Sequence, residues 1–401
     1  VKMIEESEQM KSSAESKAAN LADRLVPWCL GGTLLTYLLT GNATKAVSIL
    51  MVDFSCALKL AMPISVLSAM RQCAESGVTV KGGKFLEAVA EADTIVFDKT
   101  GTLTHSQPRV AKIIPFGGRD EAEMLRLAAC LEEHYPHSIA NAVVAEAEQR
   151  GLLHEERHSK VEYVVAHGIS STIDGERVVI GSYHFVVEDE ACKIPDERIF
   201  RHLPKEYSHL YLAIGGEIAA VICIEDPLRD EAKAVIDSLH SLGLSNIVMM
   251  TGDNERTAKS VAEKVGVDAY YAEVLPEDKA AFIRAEHKAG RRVIMIGDGV
   301  NDSPALSEAD AGIAISTGAA IAREIADITI SANDLYALVD LKRLSNALMN
   351  RIGRNYRTII GFNLGLILLG AAGILPPATS ALLHNASTLA IGLKSMTDLP
   401  A

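Results

Sequence analysis

Long apolar stretches lie near both ends of the chain, and a more charged region lies between them. A helix that crosses a bilayer needs about 20 mostly apolar residues. Four stretches approach that length with few or no charges once flanking residues are added: 25–40, 46–70, 359–375 and 378–396. Short links at 41–45 and 376–377 pair them into two predicted helical hairpins. For any one stretch, the alternative is a buried helix of a soluble core.

The charges beside these stretches predict an orientation. One side of both hairpins carries eight basic residues, whereas the short links carry only Lys45. The eight are Lys17, Arg24, Arg71, Lys342, Arg343, Arg351, Arg354 and Arg357. Cytoplasmic loops carry an excess of such residues. We therefore expect a multi-pass protein of the cell membrane, with the lipid bilayer as a partner and residues 73–354 in the cytoplasm.

Between the hairpins, three short β-branched runs each end in an acidic, glycine-containing loop. The runs are 92–97, 246–250 and 292–296, with helical stretches at 231–242 and 255–265. Alternating strands and helices predict a doubly wound α/β sheet. The loops would bring Asp98, Asp253, Asp298 and Asp302 to one sheet edge. Each Asp alone is more typical of a turn or helix cap, but three such edges in one chain favour a Mg²⁺ site, with Lys279 supplying a positive charge for a phosphoryl group.

The pattern changes between residues 114 and 220. Two helical stretches come first, at 120–133 and 138–150, followed by short strands at 161–165, 171–173, 177–180, 210–214 and 217–224. This order predicts an α+β domain inserted between two halves of the sheet domain.

Composition narrows the functional classes. Lys plus Arg is 39 and Asp plus Glu is 52 in 401 residues, a net charge of −13. Such an acidic chain without a basic run is not typical of a nucleic-acid binder. The six cysteines show no paired spacing, so neither a disulfide framework nor a zinc ribbon is predicted.

With these residues in view, the chain resembles the P-type ATPases, and among them the heavy-metal (type IB) transporters. Four motifs carry the resemblance: DKTGTLT at Asp98–Thr104, DPLR at Asp226–Arg229, TGDN at Thr251–Asn254 and GDGVND at Gly297–Asp302. The resemblance covers essentially the whole chain. It implies a haloacid-dehalogenase-like phosphorylation domain with an inserted nucleotide-binding domain, and ATP and Mg²⁺ as cofactors.

The resemblance also implies roles for individual residues. Asp98 would accept the γ-phosphoryl of ATP, and its Oδ, the Thr100 carbonyl and Asp298 would bind Mg²⁺. The other implied catalytic residues are Lys99, Thr251, Gly252, Asp253, Lys279, Asn301 and Asp302. Related phosphatases carry an Asp two residues after the nucleophile as a general acid/base. Here that position is Thr100, so the aspartyl phosphate should persist longer, as a pump requires.

The inserted domain matches the family's nucleotide site with departures. In Glu132-Glu133-His134-Tyr135-Pro136-His137-Ser138, Glu132 and His137 align with the adenine contacts, but Ser138 replaces the usual Pro. The glycine pair of the adenine pocket is here Ala166 and Gly168, and Gly181 matches a further family glycine.

The transported ion is the least defined partner. Cys56 aligns with the last Cys of the family's metal motif, where Ser55 replaces the Pro and Phe54 the first ligand. The stretch beginning at His384 is similar to that of the cobalt, iron or zinc subgroup. Cys56, His384 and either Asp53 or Ser55 would suit Zn²⁺, Fe²⁺, Co²⁺ or Mn²⁺ better than Cu⁺.

The expected domains follow from these assignments. They are 1–24, a cytoplasmic linker helix; 25–72, a hairpin with the metal-site span; 73–113 and 221–342, the phosphorylation domain; 114–220, the nucleotide-binding domain; and 343–401, a second hairpin. No Thr-Gly-Glu of the family's dephosphorylating actuator domain occurs. We therefore expect a missing N-terminal half as a partner. The alternatives are a truncated regulatory subunit and a membrane-anchored phosphatase of the same fold.

Overall fold

A computed structural model describes residues 12–52, 54–105, 107–134, 138–152, 162–164, 168–173, 175–204, 207–297, 302–315, 324–331 and 334–400. The chain forms two compact units. Unit 1 comprises residues 1–95, 237–246 and 280–401, and unit 2 comprises residues 96–236 and 247–279.

Five helices of unit 1 cover most of the four apolar stretches. They are α1 (Ser13–Thr40), α2 (Ala43–Leu50), α3 (Phe54–Glu75), α12 (Tyr336–Ala371) and α13 (Pro377–Met396). Stretch 46–70, which we predicted as one segment, is divided between α2 and α3, because the first helix ends at Leu50. Among the described residues, none of these helices combines the length and apolar content that crossing a bilayer requires.

Buried polar contacts join α12 to the C-terminal end of α13. Asn355 Nδ2 donates to Ser395 Oγ at 3.0 Å. The Arg351 guanidinium donates to the carbonyl oxygens of Thr397 and Asp398 at 2.6 and 2.7 Å. These bonds satisfy carbonyls at a helix C-terminus that has no intrahelical donors left.

The doubly wound sheet has seven strands in the order β1-β13-β12-β11-β2-β9-β10. Their bounds are β1 Val78–Val80, β2 Thr94–Asp98, β9 Asn246–Met250, β10 Ala269–Tyr271, β11 Val293–Gly297, β12 Ala311–Ile315 and β13 Ile328–Ile330. In unit 1, β11, β12 and β13 pair in parallel, and β1 is antiparallel to β13. In unit 2, β9 and β10 pair in parallel.

Helices alternate with these strands, as a doubly wound sheet requires. They are α4 (Gly83–Glu91), α8 (Ala232–Ser241), α9 (Glu255–Val265), α10 (Pro276–Lys288) and α11 (Ser303–Glu308). Helix α9 has clear end signals: the Asn254 side chain caps its start, and Gly266, with φ +85°, ends it. A glycine tolerates this left-handed conformation without the steric penalty of a Cβ.

The inserted domain, in unit 2, is a six-stranded antiparallel sheet in the order β3-β8-β7-β6-β5-β4. Its strands are β3 Arg109–Pro115, β4 Glu162–Val164, β5 Gly168–Ile173, β6 Glu176–Gly181, β7 Ser208–Ile214 and β8 Glu217–Glu225. Helices α5 (Glu121–Glu132), α6 (Ser138–Gln149) and α7 (Glu197–Arg201) complete it. Val178 and Ile180 pack towards α5 and α6, whereas Val179 packs on the opposite face against Phe185. Alternation along a strand thus supplies two cores.

The fold predicted from the sequence is confirmed: a doubly wound α/β sheet with an inserted α+β domain. The antiparallel sheet includes β3, which begins at Arg109, upstream of our predicted domain boundary at 114. The predicted domain boundaries stay predictions.

Lys342 of α12 is a buried cation that generates a test of this packing. Its ammonium donates to the carbonyl oxygens of Val89 and Ala90 at 2.8 and 2.9 Å, at the C-terminal end of α4. A cation is favourable there. Burial nevertheless lowers the pKa of Lys342 to about 8, against an opposing effect of Asp93.

We expect Lys342→Met to remove part of the pH dependence of stability. Between pH 8 and the ordinary lysine pKa of about 10.4, the unfolded chain binds more protons at this site than the folded chain. Stability therefore rises with pH in that window. Thermal unfolding midpoints of wild type and Lys342→Met at pH 8 and 10 provide the check. The wild-type midpoint should rise relative to that of the variant, and parallel curves would contradict the assignment.

Candidate active site

Asp98 is the last residue of β2 and carries the central contact of the site. Its Oδ1 accepts from Lys279 Nζ at 2.6 Å, and both residues are buried. Lys279 lies in the first turn of α10, which Pro276 begins. The Asp278 carboxylate accepts from the Leu275 N–H at 3.2 Å and thereby fixes the helix start. Lys279, which the sequence places at this edge as a positive charge for a phosphoryl group, thus contacts Asp98 directly.

The chain turns sharply after Asp98, in the segment Lys99–Leu103. Gly101 has φ +76°, a conformation that favours glycine. The Thr104 hydroxyl accepts from the Gly101 N–H at 3.0 Å, and the Thr104 N–H donates to the Lys99 carbonyl at 3.2 Å. Thr100 is exposed within this turn.

The segment Asp226–Arg229 holds the turn in place. The Arg229 N–H donates to the Leu103 carbonyl at 2.9 Å, and its Nε donates to the Thr104 carbonyl at 3.3 Å. The His105 N–H donates to the Pro227 carbonyl at 3.2 Å. The DPLR motif therefore has a local role: it holds the loop after Asp98 against the segment that follows the inserted domain.

Lys99 lies between two acidic side chains. Its Nζ is 2.5 Å from Asp253 Oδ2 and 3.9 Å from an Asp226 carboxylate oxygen. Burial raises the pKa of the Asp226 carboxyl, an effect that the Thr104 hydroxyl and Lys99 oppose. The sequence analysis did not predict Asp226 as a partner of Lys99, although the DPLR motif drew attention to that segment.

The segment Tyr271–Val274, here called the crossing segment, fixes the loop Thr251–Asp253 through backbone hydrogen bonds. The Thr251 N–H donates to the Tyr271 carbonyl, the Glu273 N–H to the Asp253 carbonyl and the Val274 N–H to the Thr251 carbonyl, at 2.9–3.0 Å. The Asp253 N–H donates to Thr251 Oγ1 at 3.1 Å. Glu273 adopts φ +55°, which is uncommon for a residue with a Cβ and costs about 1–3 kcal/mol. Gly252 is exposed at the tip.

The predicted Mg²⁺ ligands are only partly described. The Asp98 carboxylate and the Thr100 carbonyl are hard oxygen donors of the kind Mg²⁺ prefers. Asp298 and Asn301 lie outside the described residues. Within the described ranges, no group of three or more His, Cys, Asp or Glu side chains is arranged to hold a metal ion. Asp302 is a buried residue of unit 1. Its carboxylate occupies the space that a side chain at Gly297 would need.

Two of the predicted nucleotide-site residues, Gly168 and Gly181, lie on one row of the inserted sheet. Gly168 and Gly181 are register partners, and Gly181 pairs in turn with Tyr211. The ring of Phe185 and the carbonyl oxygen of Ile180 occupy the place where a Cβ on Gly168 would lie. Burial raises the pKa of the Glu132 carboxyl to about 7. His137 lies outside the described residues.

The predicted transport ligands lie on α3 and α13 of unit 1. Cys56 is exposed on α3. His384 is buried on α13, and its Nδ1 is 3.2 Å from Asn363 Oδ1 on α12. Asp53 and the Ser55 side chain lie outside what the structure describes. Asn363 was not among the predicted ligands, although an isolated Asn in an apolar stretch was a visible signal.

Three comparisons relate the chain to known proteins. Residues 92–310 match the family model of haloacid dehalogenase-like hydrolases. A zinc-exporting P-type ATPase of Mycobacterium marinum is 36% identical over 97% of this chain and 53% of its own length. A copper-exporting P-type ATPase of Bacillus subtilis is 34% identical over 99% and 50%, and a manganese-exporting one of Mycobacterium bovis is 34% identical over 98% and 55%. The chain thus spans about half the length of these curated relatives.

Two solved structures show the same similarity to heavy-metal P-type ATPases. A zinc-transporting PIB-type ATPase in the E2.Pi state has a TM-score of 0.73 and 28% identity, over 92% of this chain and 62% of that one. The catalytic domain of the CPx-ATPase CopB-B has a TM-score of 0.56 and 29% identity, over 69% of this chain and 99% of that one. The resemblance to heavy-metal P-type ATPases is confirmed.

The contact of Gly168 with Phe185 predicts a packing requirement. Gly168→Ala should lower the free energy of unfolding by about 1–3 kcal/mol, because the new methyl group overpacks a filled site. Phe185→Leu in the same chain should recover part of that loss, since it leaves room on one side. Urea unfolding without nucleotide, with both single variants and the double variant, measures the coupling. An unchanged midpoint for Gly168→Ala would show that the glycine is not required for packing.

Proposed function

Because this chain belongs to the haloacid dehalogenase-like hydrolases, we propose that it carries the phosphorylation chemistry of an ATP-driven metal pump, with Asp98 as the nucleophile. The observation that carries the proposal is the buried Asp98 carboxylate, placed at the end of β2 and 2.6 Å from Lys279 Nζ. A carboxylate nucleophile splits hydrolysis into phosphoryl transfer and acyl-phosphate breakdown. The stored intermediate is what a pump can couple to ion movement.

In the proposed step, a carboxylate oxygen of Asp98 attacks the γ-phosphorus of ATP. The new oxygen–phosphorus bond forms as the bond to the β–γ bridging oxygen breaks, and ADP leaves with that electron pair. Lys279 would shift from Asp98 to the transferring phosphoryl oxygens, and the hydroxyl of Thr251 and the N–H of Gly252 would hold them. When bound, Mg²⁺ supplies further positive charge to these oxygens, and Asp98, the Thr100 carbonyl and Asp298 would hold it.

The surrounding contacts support this assignment of roles. Lys99 holds Asp253, and the crossing segment fixes Thr251, so the loop need not reorganise during transfer. We assign Asn301 and Asp302 to supporting positions. Thr100 offers no carboxylate to activate water, which favours a persistent aspartyl phosphate over a phosphatase.

The nucleotide is proposed to be ATP, contacted by Glu132, His137, Gly168 and Gly181. A pKa of about 7 leaves the Glu132 carboxyl partly protonated near neutral pH. In that form it can donate a hydrogen bond to a ring nitrogen of adenine.

The cargo is proposed to be a divalent transition-metal ion, exported across the cell membrane, with residues 73–354 on the cytoplasmic side. The relatives export zinc, copper or manganese. A single thiol at Cys56 with the imidazole of His384 favours Zn²⁺, Fe²⁺, Co²⁺ or Mn²⁺ over Cu⁺. With Nδ1 donating to Asn363 Oδ1, the His384 lone pair lies on Nε2, the nitrogen that would bind metal. Either Asp53 or Ser55 completes the proposed ligand set.

Asp98→Asn should abolish formation of a phosphoenzyme, because an amide oxygen cannot take up the phosphoryl group. The purified chain is incubated with γ-³²P-ATP and Mg²⁺, and the label should be acid-stable and hydroxylamine-sensitive. Lys279→Gln should reduce the initial labelling rate about 100-fold, the usual effect of losing one charge-stabilising donor. Asp196→Asn is a matched control, since Asn also serves as a helix N-cap. Labelling that persists in Asp98→Asn would refute the proposed nucleophile.

Cys56→Ser and His384→Ala should each raise the metal concentration that gives half-maximal labelling, by at least about tenfold. Zn²⁺, Co²⁺, Fe²⁺, Mn²⁺ and Cu⁺ are titrated in the same assay, and labelling without added metal should not change. Cys29→Ser, on α1, is the thiol control. If both variants keep the wild-type concentration dependence, these residues are not cargo ligands. Stimulation by Cu⁺ alone would overturn the divalent assignment.

A further inference from the structure

Residues 395–399, which end helix α13 and follow it, lie between two other helices of unit 1; we call this segment the strap. On the α12 side, the guanidinium of Arg351 donates to two backbone carbonyl oxygens of the strap at 2.6 and 2.7 Å. Arg351 is buried, and its Nε has no hydrogen-bond partner in the described part of the chain. An arginine kept at that cost indicates a role that an apolar residue could not fill.

Helix α3 holds the strap from the other side. Ser68 Oγ lies 3.2 and 3.3 Å from two carbonyl oxygens of the strap. The Leu399 N–H donates to Gln72 Oε1 at 2.8 Å, and Arg71 forms an exposed ion pair with Asp398. Satisfying the last carbonyls of α13 would need donors from only one neighbour. Contacts from both α12 and α3 therefore indicate that the strap links the helices to each other.

The strap meets three helices at nearly the same distance from the proposed cargo site. The pairs of positions are Cys56 and Ser68 on α3 (68 − 56 = 12), Arg351 and Asn363 on α12 (363 − 351 = 12), and His384 and Ser395 on α13 (395 − 384 = 11). At 1.5 Å per residue, these separations are about 16–18 Å along each helix. A link at one common level fixes the axial register of the three helices.

Helix α12 also connects this level to the doubly wound sheet. It begins at Tyr336, shortly after β13 ends at Ile330, and continues to Ala371 without a proline. Helices α12 and α3 pack against each other. A continuous helix that shifts along a packed neighbour moves as one element. A displacement at the sheet end of α12 would therefore reach the level of Arg351.

We propose that the strap transmits a displacement of α12 to α3 and α13, and so couples occupation of the cargo site to phosphorylation of Asp98. This rests on the proposed function, because it takes Cys56 and His384 as cargo ligands. Arg351 is then a positioning residue: it lies about 18 Å from Asn363 along α12 and acts through the strap. Breaking the strap on either side should uncouple the two events without removing a ligand.

The test separates metal binding from metal-stimulated phosphorylation in the full chain. Zn²⁺, Co²⁺, Fe²⁺ and Mn²⁺ are each used alone, and two quantities are measured: the Kd of the ion without ATP, and the ratio of ³²P labelling with and without the ion. Arg351→Gln should lower that ratio at least about fivefold, the lower end of typical coupling between sites. The Kd should stay within about twofold of wild type, because the ligands are unchanged.

A variant on the α3 side tests whether both contacts act through the strap. Ser68→Ala combined with Gln72→Ala should lower the labelling ratio as Arg351→Gln does. Adding Arg351→Gln to that variant should lower the ratio no further, since one break already uncouples the helices. Independent local effects at the two sides would instead multiply.

Arg354→Gln is the matched control, because Arg354 is an exposed arginine three residues after Arg351 on the same helix. Thermal unfolding midpoints verify folding, and the α3-side variant decides the matter if Arg351→Gln does not fold. A wild-type ratio in the folded strap variants, a Kd that rises as the ratio falls, or multiplying effects would overturn this inference and leave the phosphorylation chemistry intact. A wild-type chain that is not labelled, or whose labelling no ion stimulates, would overturn the proposed function as well.

Discussion

The buried ion pair between Asp98 and Lys279 is the constraint on which the site depends. Two charges removed from water are stable only in good geometry, and deletion of one partner leaves the other uncompensated at a cost of about 3–5 kcal/mol. At 2.6 Å the pair has that geometry. The same contact also brings together two groups of the proposed reaction. The carboxylate is the proposed nucleophile, and the ammonium that neutralises it is the group that the transferred phosphoryl would recruit.

Backbone hydrogen bonds hold the loops that carry these charges in position. The loop after β2 is tied to Arg229, and the loop after β9 is tied to the segment around Glu273. Glu273 keeps its strained φ because two neighbouring residues of its segment are bonded to the opposite loop. Strain that the surroundings impose is typical of positions where geometry serves function. Lys99 links the two loops through Asp253, so their positions are coupled.

How far the sequence predicts this arrangement depends on the length and regularity of each element. Strand β9 and helix α9 lie where periodicity predicted them, because each is a regular run with clear end signals. Strand β3 was missed because a bulge between Val110 and Lys112 breaks its alternation. Strands β1, β10 and β13 were not predicted; each has three residues, which gives little alternation to recognise.

The predicted site shows the same division. Asp98 and Lys279 were assigned to the same sheet edge in advance, Asp98 as a motif residue at the end of a strand and Lys279 as a positive charge for a phosphoryl group. The contact between Lys99 and Asp226 was not anticipated, since it joins residues 127 positions apart (226 − 99) and rests on the turn's detailed course. Gly168 was assigned to nucleotide binding alone, whereas in the structure its missing side chain also leaves room for the Phe185 ring. Sequence patterns name residues; they do not reveal which neighbour fills the adjacent space.

The polar residues of α13 support the ion-binding proposal independently of motif. Ser380, His384 and Thr388 recur every fourth residue, which places them on one helix face. Ser380 and His384 are buried, and His384 meets Asn363 of α12. In the described part of the chain, Ser380 Oγ, Thr388 Oγ1 and Asn363 Nδ2 are buried without a hydrogen-bond partner. Each such group costs about 1–3 kcal/mol, which apolar side chains would avoid. A stripe kept polar at that cost fits a role in binding better than a role in packing.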